Sequence, residues 1–215
     1  MKQKLNSEIL NYYSLFWIFV TAGFLGVFLE NIWCIYTTQT FEYRNGVIFG
    51  PFNPVYGFGA IFMTIILYQI QEKKDLFIFL CSALSGAVFE YVCSLFQELV
   101  FGTISWDYSD TLLNLNGRTN LMFSVFWGVL GVAWLKILLP RISSSIKDVP
   151  KKLLILLTLI GTIFMAFNIC ISYLAIERQM DRRRGVEAKD VVSQFLDRNY
   201  SDEILKRLYP NMKKK

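Results

Sequence analysis

The chain has 215 residues, 54% of them hydrophobic and 16% aromatic, with a formal charge of +5 and no histidine. The apolar residues are gathered into runs, which excludes an ordinary soluble domain and fits one membrane domain with a tail. Lacking histidine, the chain is excluded from His-ligated zinc or haem chemistry, from Ser-His and Cys-His nucleophile pairs and from histidine proton relays. Cys34, Cys81, Cys93 and Cys170 lie in the apolar runs without ligand spacing and read as small membrane-buried residues, so the sequence calls for no metal and no cofactor.

Five apolar runs lie at 13–36, 55–70, 76–99, 121–139 and 153–176. A helix needs about 20 residues to cross the hydrocarbon core, so each run suits one crossing and only the second is short. The expected fold is an all-α polytopic membrane helix bundle with about five transmembrane helices over 1–176. A basic amphipathic helical tail follows over 177–215. The first run is longer than the ~7–15-residue apolar region of a cleavable signal and no small-residue cleavage site follows it, so it reads as a retained anchor.

Five spans place the N-terminus and the loops 71–75 and 140–152 on one side. These segments hold Lys2, Lys4, Lys73, Lys74, Arg141, Lys147, Lys151 and Lys152, whereas the opposite loops hold only Arg44 and Arg118. The positive-inside rule then puts the N-terminus in the cytoplasm. The tail argues the other way, because its eleven Lys and Arg, against seven Asp and Glu, would lie outside. Such a tail suits anionic headgroups or a protein partner better than nucleic acid.

The first and third runs each contain a carboxylate, Glu30 and Glu90. An ionised side chain at mid-span costs about 2.5–3.5 kcal/mol on insertion scales, while each Leu, Ile or Phe contributes only about 0.3–0.6 in return. An intramembrane Glu is therefore a functional candidate. Gly23, Gly26, Glu30, Cys34 and Thr37 recur at steps of three and four, and Ser82, Gly86, Glu90, Ser94 and Glu98 at steps of four. Both spacings keep a small-and-polar stripe on one helix side, which faces the bundle interior. Two readings stay open: a packing seam with protonated, hydrogen-bonded carboxyls, or a polar cavity lined by Glu30 and Glu90. Asn120, Ser124, Gly128 and Gly131 in the fourth run, and Gly161, Asn168 and Ser172 in the fifth, read as packing positions.

The first two hairpins look alike. One has Gly26-x-x-x-Glu30, Phe41-Glu42-Tyr43, Asn45-Gly46 and then Gly57; the other has Gly86-x-x-x-Glu90, Trp106-Asp107-Tyr108, Asn116-Gly117 and then Gly128. Both would start from the same side, which implies a parallel repeat about an axis along the membrane normal. Within the first of them the segment 44–59 is unusual, with Arg44, Gly50, Pro51, Pro54, Tyr56, Gly57 and Gly59 in an apolar setting. Each proline removes an N–H and disfavours helix in the residue before it. Irregular backbone at membrane depth needs protein or water over it, so the segment is expected to be re-entrant, against the alternative of a tight external loop. In the second loop Asp107 and Arg118 are expected to pair, or Arg118 to reach Glu90 or Glu98 instead. In the tail, Val191, Val192, Phe195 and Leu196 fall on one side of a short helix. A second helix starts at Ser201 and stops before Pro210, and the last three lysines are expected to fray.

Gly50-Pro51-x-x-Pro54-x-Tyr56-Gly57-x-Gly59, Trp106-Asp107-Tyr108-Ser109, and Asn114-Leu115-Asn116-Gly117-Arg118 with the run 123–131 resemble the bacterial putative ABC-transporter type IV permease family. The ending Tyr209-Pro210-Asn211-Met212 is similar too. The resemblance implies a multipass protein of the bacterial cell membrane and carries no residue roles with it. No phosphate-binding Gly-rich loop ending in Lys-Ser/Thr is present, so ATP-driven work would require a separate ATPase subunit on the short loops 71–75 and 140–152.

The expected function is that of a membrane transport protein or permease-like subunit. Glu30, Glu90, Glu98, Asp107, Asn116 and Arg118 would line or close an intramembrane polar site, under a loop built from Arg44, Gly50, Pro51, Pro54, Tyr56 and Gly57. Protonation of a desolvated Glu would couple to movement. The alternatives are an integral membrane enzyme acting on a lipid or lipid-linked substrate, with Arg118 holding a phosphate, and a non-catalytic membrane assembly factor.

Overall fold

The computed structural model describes residues 10–214; Lys2 and Lys4, counted above for orientation, lie outside them. Helix α1 (Tyr12–Thr38) starts at Asn11, whose side chain accepts the Ser14 N–H, and stops at Gln39 with φ 56°. Helix α2 (Pro54–Leu67) continues as a 3-10 turn to Ile70, and α3 (Asp75–Phe101) ends at Gly102 with φ 61°. Helix α4 (Leu121–Ala133) passes through a π turn (Trp134–Leu138) into α5 (Leu139–Asp148). Helix α6 (Lys151–Arg183) is followed by the short tail helices α7 (Val191–Asn199) and α8 (Asp202–Leu208).

Among the described residues four helices are long and apolar enough to cross a membrane: Tyr12–Thr38, Asp75–Phe101, Leu121–Asp148 and Lys151–Arg183. The fifth apolar helix, Pro54–Ile70, is shorter. The chain is thus an all-α polytopic bundle and a membrane protein. Large side chains such as Ile32, Leu84, Val88, Leu99 and Ile163 lie more than half exposed on its outside, where lipid rather than water is their solvent.

Glycines set the helix pairs. A Cβ on Gly26 would overlap the Tyr56 ring and one on Gly57 the Phe19 ring, so α1 and α2 interlock. A Cβ on Gly86 would overlap Trp127 and one on Gly128 the Phe79 ring, so α3 and α4 interlock in the same way. Phe19 and Phe79 each precede the first glycine by seven residues, and Tyr56 and Trp127 each directly precede the second. The two hairpins therefore repeat each other contact for contact. Gly59 packs against Phe89 and Trp127, which joins them. Helix α6 lies on α1: Gly161 meets Phe16, and Trp17 Nε1 donates to Thr158 Oγ1 at 3.0 Å.

The apolar core sits toward the end where α2 turns into α3, with Ile18, Met63, Leu67, Ile78, Trp134 and Leu139 among its buried members. The segment 140–152, expected as a loop between two apolar runs, is helical to Asp148. The π turn shifts the hydrogen-bond register just before Pro140, with Leu139 N–H bonding Trp134 O, and so absorbs the missing donor.

The opposite end is polar. Two-residue strands β2 (Asn114–Leu115) and β3 (Thr119–Asn120) form a hairpin whose turn has Asn116 at φ 54° and Gly117 at φ 69°, the positive pair that a type I′ turn needs. The tail packs on this end. Leu196 and Leu205 are buried with Ile171 and Ala175 of α6, and Arg178 and Arg182 hold Asp197. Lys213 and Lys214 are not frayed: they form β4, antiparallel to β1 (Thr103–Ile104). Of the apolar side expected on α7 only Leu196 is buried, and Val191, Val192 and Phe195 are exposed.

Candidate functional site

Each intramembrane carboxylate lies four residues, one helical turn, beyond the glycine that admits an aromatic ring, and this spacing decides its surroundings. Tyr56, seated on Gly26, donates its hydroxyl to Glu30 Oε2 at 3.2 Å. Trp127, seated on Gly86, brings its indole beside Glu90. A further turn along, Arg44 Nη2 reaches Cys34 Sγ at 3.2 Å and Arg118 Nη1 reaches Ser94 Oγ at 3.2 Å. Cys34 and Ser94 each follow their Glu by four residues. The repeat thus extends from the packing glycines to the polar groups.

The electrostatics of the halves differ. Arg44 Nη1 lies 3.9 Å from Glu30 and its Nη2 lies 2.9 Å from Glu42, so the Glu30 side has a cation. Arg118 is paired with Glu98 and lies 5.6 Å from the Tyr91 ring centroid. Glu90 is only 7% exposed. It accepts from Tyr108 Oη at 2.9 Å and from Thr119 Oγ1 at 2.8 Å, and no cation among the described residues forms an ion pair with it. Within the two hairpins, four carboxylates, Glu30, Glu42, Glu90 and Glu98, thus share the guanidinium groups of Arg44 and Arg118. Tyr108, outside the spans, is held well above the usual phenol range by burial first and by Glu90 second, so it remains a donor. Both arginines also keep a buried Nε with no acceptor.

The expected Asp107–Arg118 pair does not form. Asp107 Oδ1 accepts from the Ser109 N–H at 2.9 Å and from its hydroxyl at 2.6 Å, which ties it into its own turn. The Asn116-Gly117 turn carries Arg118 the other way, toward Ser94 and Glu98. Its backbone carbonyl is held by Trp106 Nε1 at 2.9 Å, and Asn116 Nδ2 donates to Tyr91 Oη at 2.9 Å.

The segment before α2 is irregular and reaches membrane depth. The Asn53 N–H bonds Gly23 O, and Gly23 lies eleven residues into α1, about 16 Å along its axis. Gly50, with φ 76°, and Pro51 keep the chain out of helix until Asn53 caps α2 and Pro54 opens it; Tyr56 and Gly57 are already helical. Ile48 N–H donates to Ser172 Oγ at 2.9 Å, Phe49 N–H to Asn168 Oδ1 at 3.0 Å, and Asn168 Nδ2 to Phe49 O at 2.7 Å. Helix α6 thus satisfies with side chains the backbone groups that lipid would leave unpaired.

The arrangement brings together Glu30, Arg44 and Tyr56 in one half and Glu90, Glu98, Arg118 and Asn116 in the other, while Asp107 lies against Gly117 with its Oδ1 on Ser109. Sequence reasoning left out Tyr108, Thr119 and Trp127 around Glu90, and read Asn168 and Ser172 only as packing. The dipeptides Tyr56-Gly57 and Trp127-Gly128 were the available signal for the aromatic donors. Thr119 had none, because it reaches Glu90 through the β2–β3 hairpin.

The sequence matches the profile of the protein family described as putative ABC-transporter type IV over residues 17–173, from α1 into the second half of α6. No curated protein and no solved structure matches it.

Proposed function

This chain belongs to the putative ABC-transporter type IV family, and from that premise we propose that it works as a transport protein or permease-like subunit of the bacterial cell membrane, with Glu90 as its titrating group. The observation that carries this reading is the buried Glu90 carboxylate, ringed by neutral donors without a paired cation, beside a Glu30 that has one. A carboxylate desolvated without a countercharge is costly. It is relieved by a proton or by a cationic cargo, and either event changes the hydrogen bonds of Tyr108 and Thr119. Thr119 belongs to the β2–β3 hairpin at the polar end, and Tyr108 lies in the loop before it, with its N–H bonded to Gly117 O of the hairpin turn, so charge at Glu90 would be tied to the shape of that end. Arg44 and Glu30 would form the fixed half, and the re-entrant segment 46–53 the wall between the site and α6.

We place the N-terminus in the cytoplasm on the strength of Lys73, Lys74, Arg141, Lys147, Lys151 and Lys152. An ATPase subunit would then dock where α5 extends α4 beyond Pro140, with exposed Arg141 and Lys147 on its surface. The enzyme alternative is weakened because Arg118 is already committed to Glu98 and Ser94 rather than open to a phosphate.

Complementation of a strain that lacks the gene tests the reading. Glu90→Gln should abolish function and Glu30→Gln reduce it, with both proteins present at wild-type level. Full function of both variants would end the proposal.

A further inference from the structure

The tail encloses a feature that the carboxylate site does not use. Between the last turn of α6, helix α8 and strand β4 lies a cavity of about 390 Å³. Its floor holds Leu205, fully buried, and Gln179, 2% exposed, whose Oε1 has no hydrogen-bond partner. Its walls carry Arg183 from α6, Lys206 from α8 and Lys213 from β4, three cations brought from three elements. The single acid on the wall, Asp202, is already held by Arg182, with Nη2 at 2.6 Å and Nε at 2.9 Å. The lining therefore presents an excess of positive charge around an apolar and amide floor, just past the end of a helix that crosses the membrane.

We infer that this cavity binds a phosphate group, supplied either by the headgroup of an anionic lipid or by a soluble phosphate ester. The chemistry fits on three counts. Cations from separate elements converge on one volume, and Lys and Arg are the usual partners of phosphate. The cavity lies just past the end of a membrane-crossing helix, where its basic residues come within a screening length of lipid headgroups. The Gln179 side chain adds an amide to the apolar floor, and its buried, unpartnered Oε1 would accept from a headgroup hydroxyl once the side chain turns toward the cavity. A ligand there touches α6, α8 and β4 at once, so it would hold the tail on the polar end of the bundle and add to the β1–β4 pairing.

The test uses the full-length protein in neutral detergent, with tail protection followed by hydrogen exchange over α7 to β4. The probes are short-chain phosphatidylglycerol, short-chain phosphatidylcholine, glycerol 3-phosphate and inorganic phosphate. Added phosphatidylglycerol or glycerol 3-phosphate should slow exchange in the tail, and the variant R183Q/K206Q/K213Q should need at least about tenfold more ligand for the same protection. A response to phosphatidylglycerol alone identifies a lipid headgroup, and an equal response to glycerol 3-phosphate identifies a soluble ester. K73Q/K74Q, at the other end of the bundle, should respond as wild type. No protection by any probe, the same protection by the zwitterionic lipid, or an unchanged response in the triple variant would overturn the inference. Since the triple variant keeps the Arg178–Asp197 and Arg182–Asp202 pairs, its ligand-free exchange should match wild type; faster ligand-free exchange would show the cations to be structural and equally overturn it.

Discussion

The α1–α2 and α3–α4 hairpins share one plan and diverge at two places. In both, a phenylalanine seven residues before a glycine packs on the partner helix, an aromatic ring sits on that glycine, and a Glu and an arginine-bound small residue follow at successive turns. The first divergence lies in the backbone. In the second hairpin α4 is helical from Leu121; in the first, the corresponding turn before Asn53 is unwound by Gly50, Pro51 and Pro54. The second divergence lies in charge, since Glu30 has Arg44 and Glu90 has neutral donors only. Shared contacts fix the architecture, and the departures are where the halves differ in backbone and in charge. The unwound turn needs Asn168 and Ser172 of α6 to satisfy its backbone groups, and Glu90 is buried without a paired cation; neither feature helps a helix pair to pack.

If the shared plan is sound, the packing glycines should be equally intolerant in both halves. Gly26→Leu and Gly86→Leu should each destabilise the detergent-solubilised protein by about 3 kcal/mol, the upper part of the range for overpacked cores, because ring and helix backbone cannot both move away. Equilibrium unfolding in a denaturing-detergent titration measures this. A large loss in one hairpin only would break the equivalence.

The arginines should show a graded effect. Arg118 is 9% exposed at its side chain and Arg44 18%, while Glu98 and Glu30 are each 29% exposed. Arg118→Ala should cost about 2–3 kcal/mol, below the ~3–5 of a fully buried broken pair, and Arg44→Ala about 1–2 in the same titration. The reverse order would move the more important anchor to the first hairpin.

The unwound turn gives a test with no counterpart in the second hairpin. Asn168→Ala leaves the Phe49 N–H and C=O without their partners, and each unsatisfied buried group costs about 1–3 kcal/mol. A net loss of about 2 kcal/mol is expected, with faster hydrogen exchange confined to 46–53. Unchanged exchange there would mean that water already reaches the segment.

The smallest effect concerns the tail, which leans on both hairpins. The guanidinium groups of Arg178 first and Arg182 next hold the Asp197 carboxyl at about 2, below its ordinary 3.8. A depressed folded value stabilises docking above the unfolded value, and that contribution fades as pH falls from about 4 through about 2. Tail exchange should therefore rise across that window before the spans unfold. Asp197→Asn should remove the transition, and its persistence would assign the titration to another carboxyl.

Sequence alone settled several matters, and for a physical reason. Lipid forces every backbone group to be satisfied within helices, so apolar run length gives the spans. Glycine, Ser and Glu at steps of three and four could only form one inward stripe, and Gly23, Gly26, Ser82, Gly86, Glu90 and Ser94 are all buried there. Asn116-Gly117 specified its turn through positive φ. Tertiary structure decided the rest, because those choices depend on groups far apart in the chain. Arg118 had Asp107, Glu90 and Glu98 within plausible reach, and only the orientation of the hairpin selected Glu98. The segment 140–152 reads as a loop until a π turn at Trp134–Leu138 carries the helix past Pro140. The last lysines read as solvated until Thr103–Ile104 offers them an open strand edge. Thr119 came to Glu90 across 29 residues, and Asn168 to Phe49 across 119, distances over which no local spacing carries information.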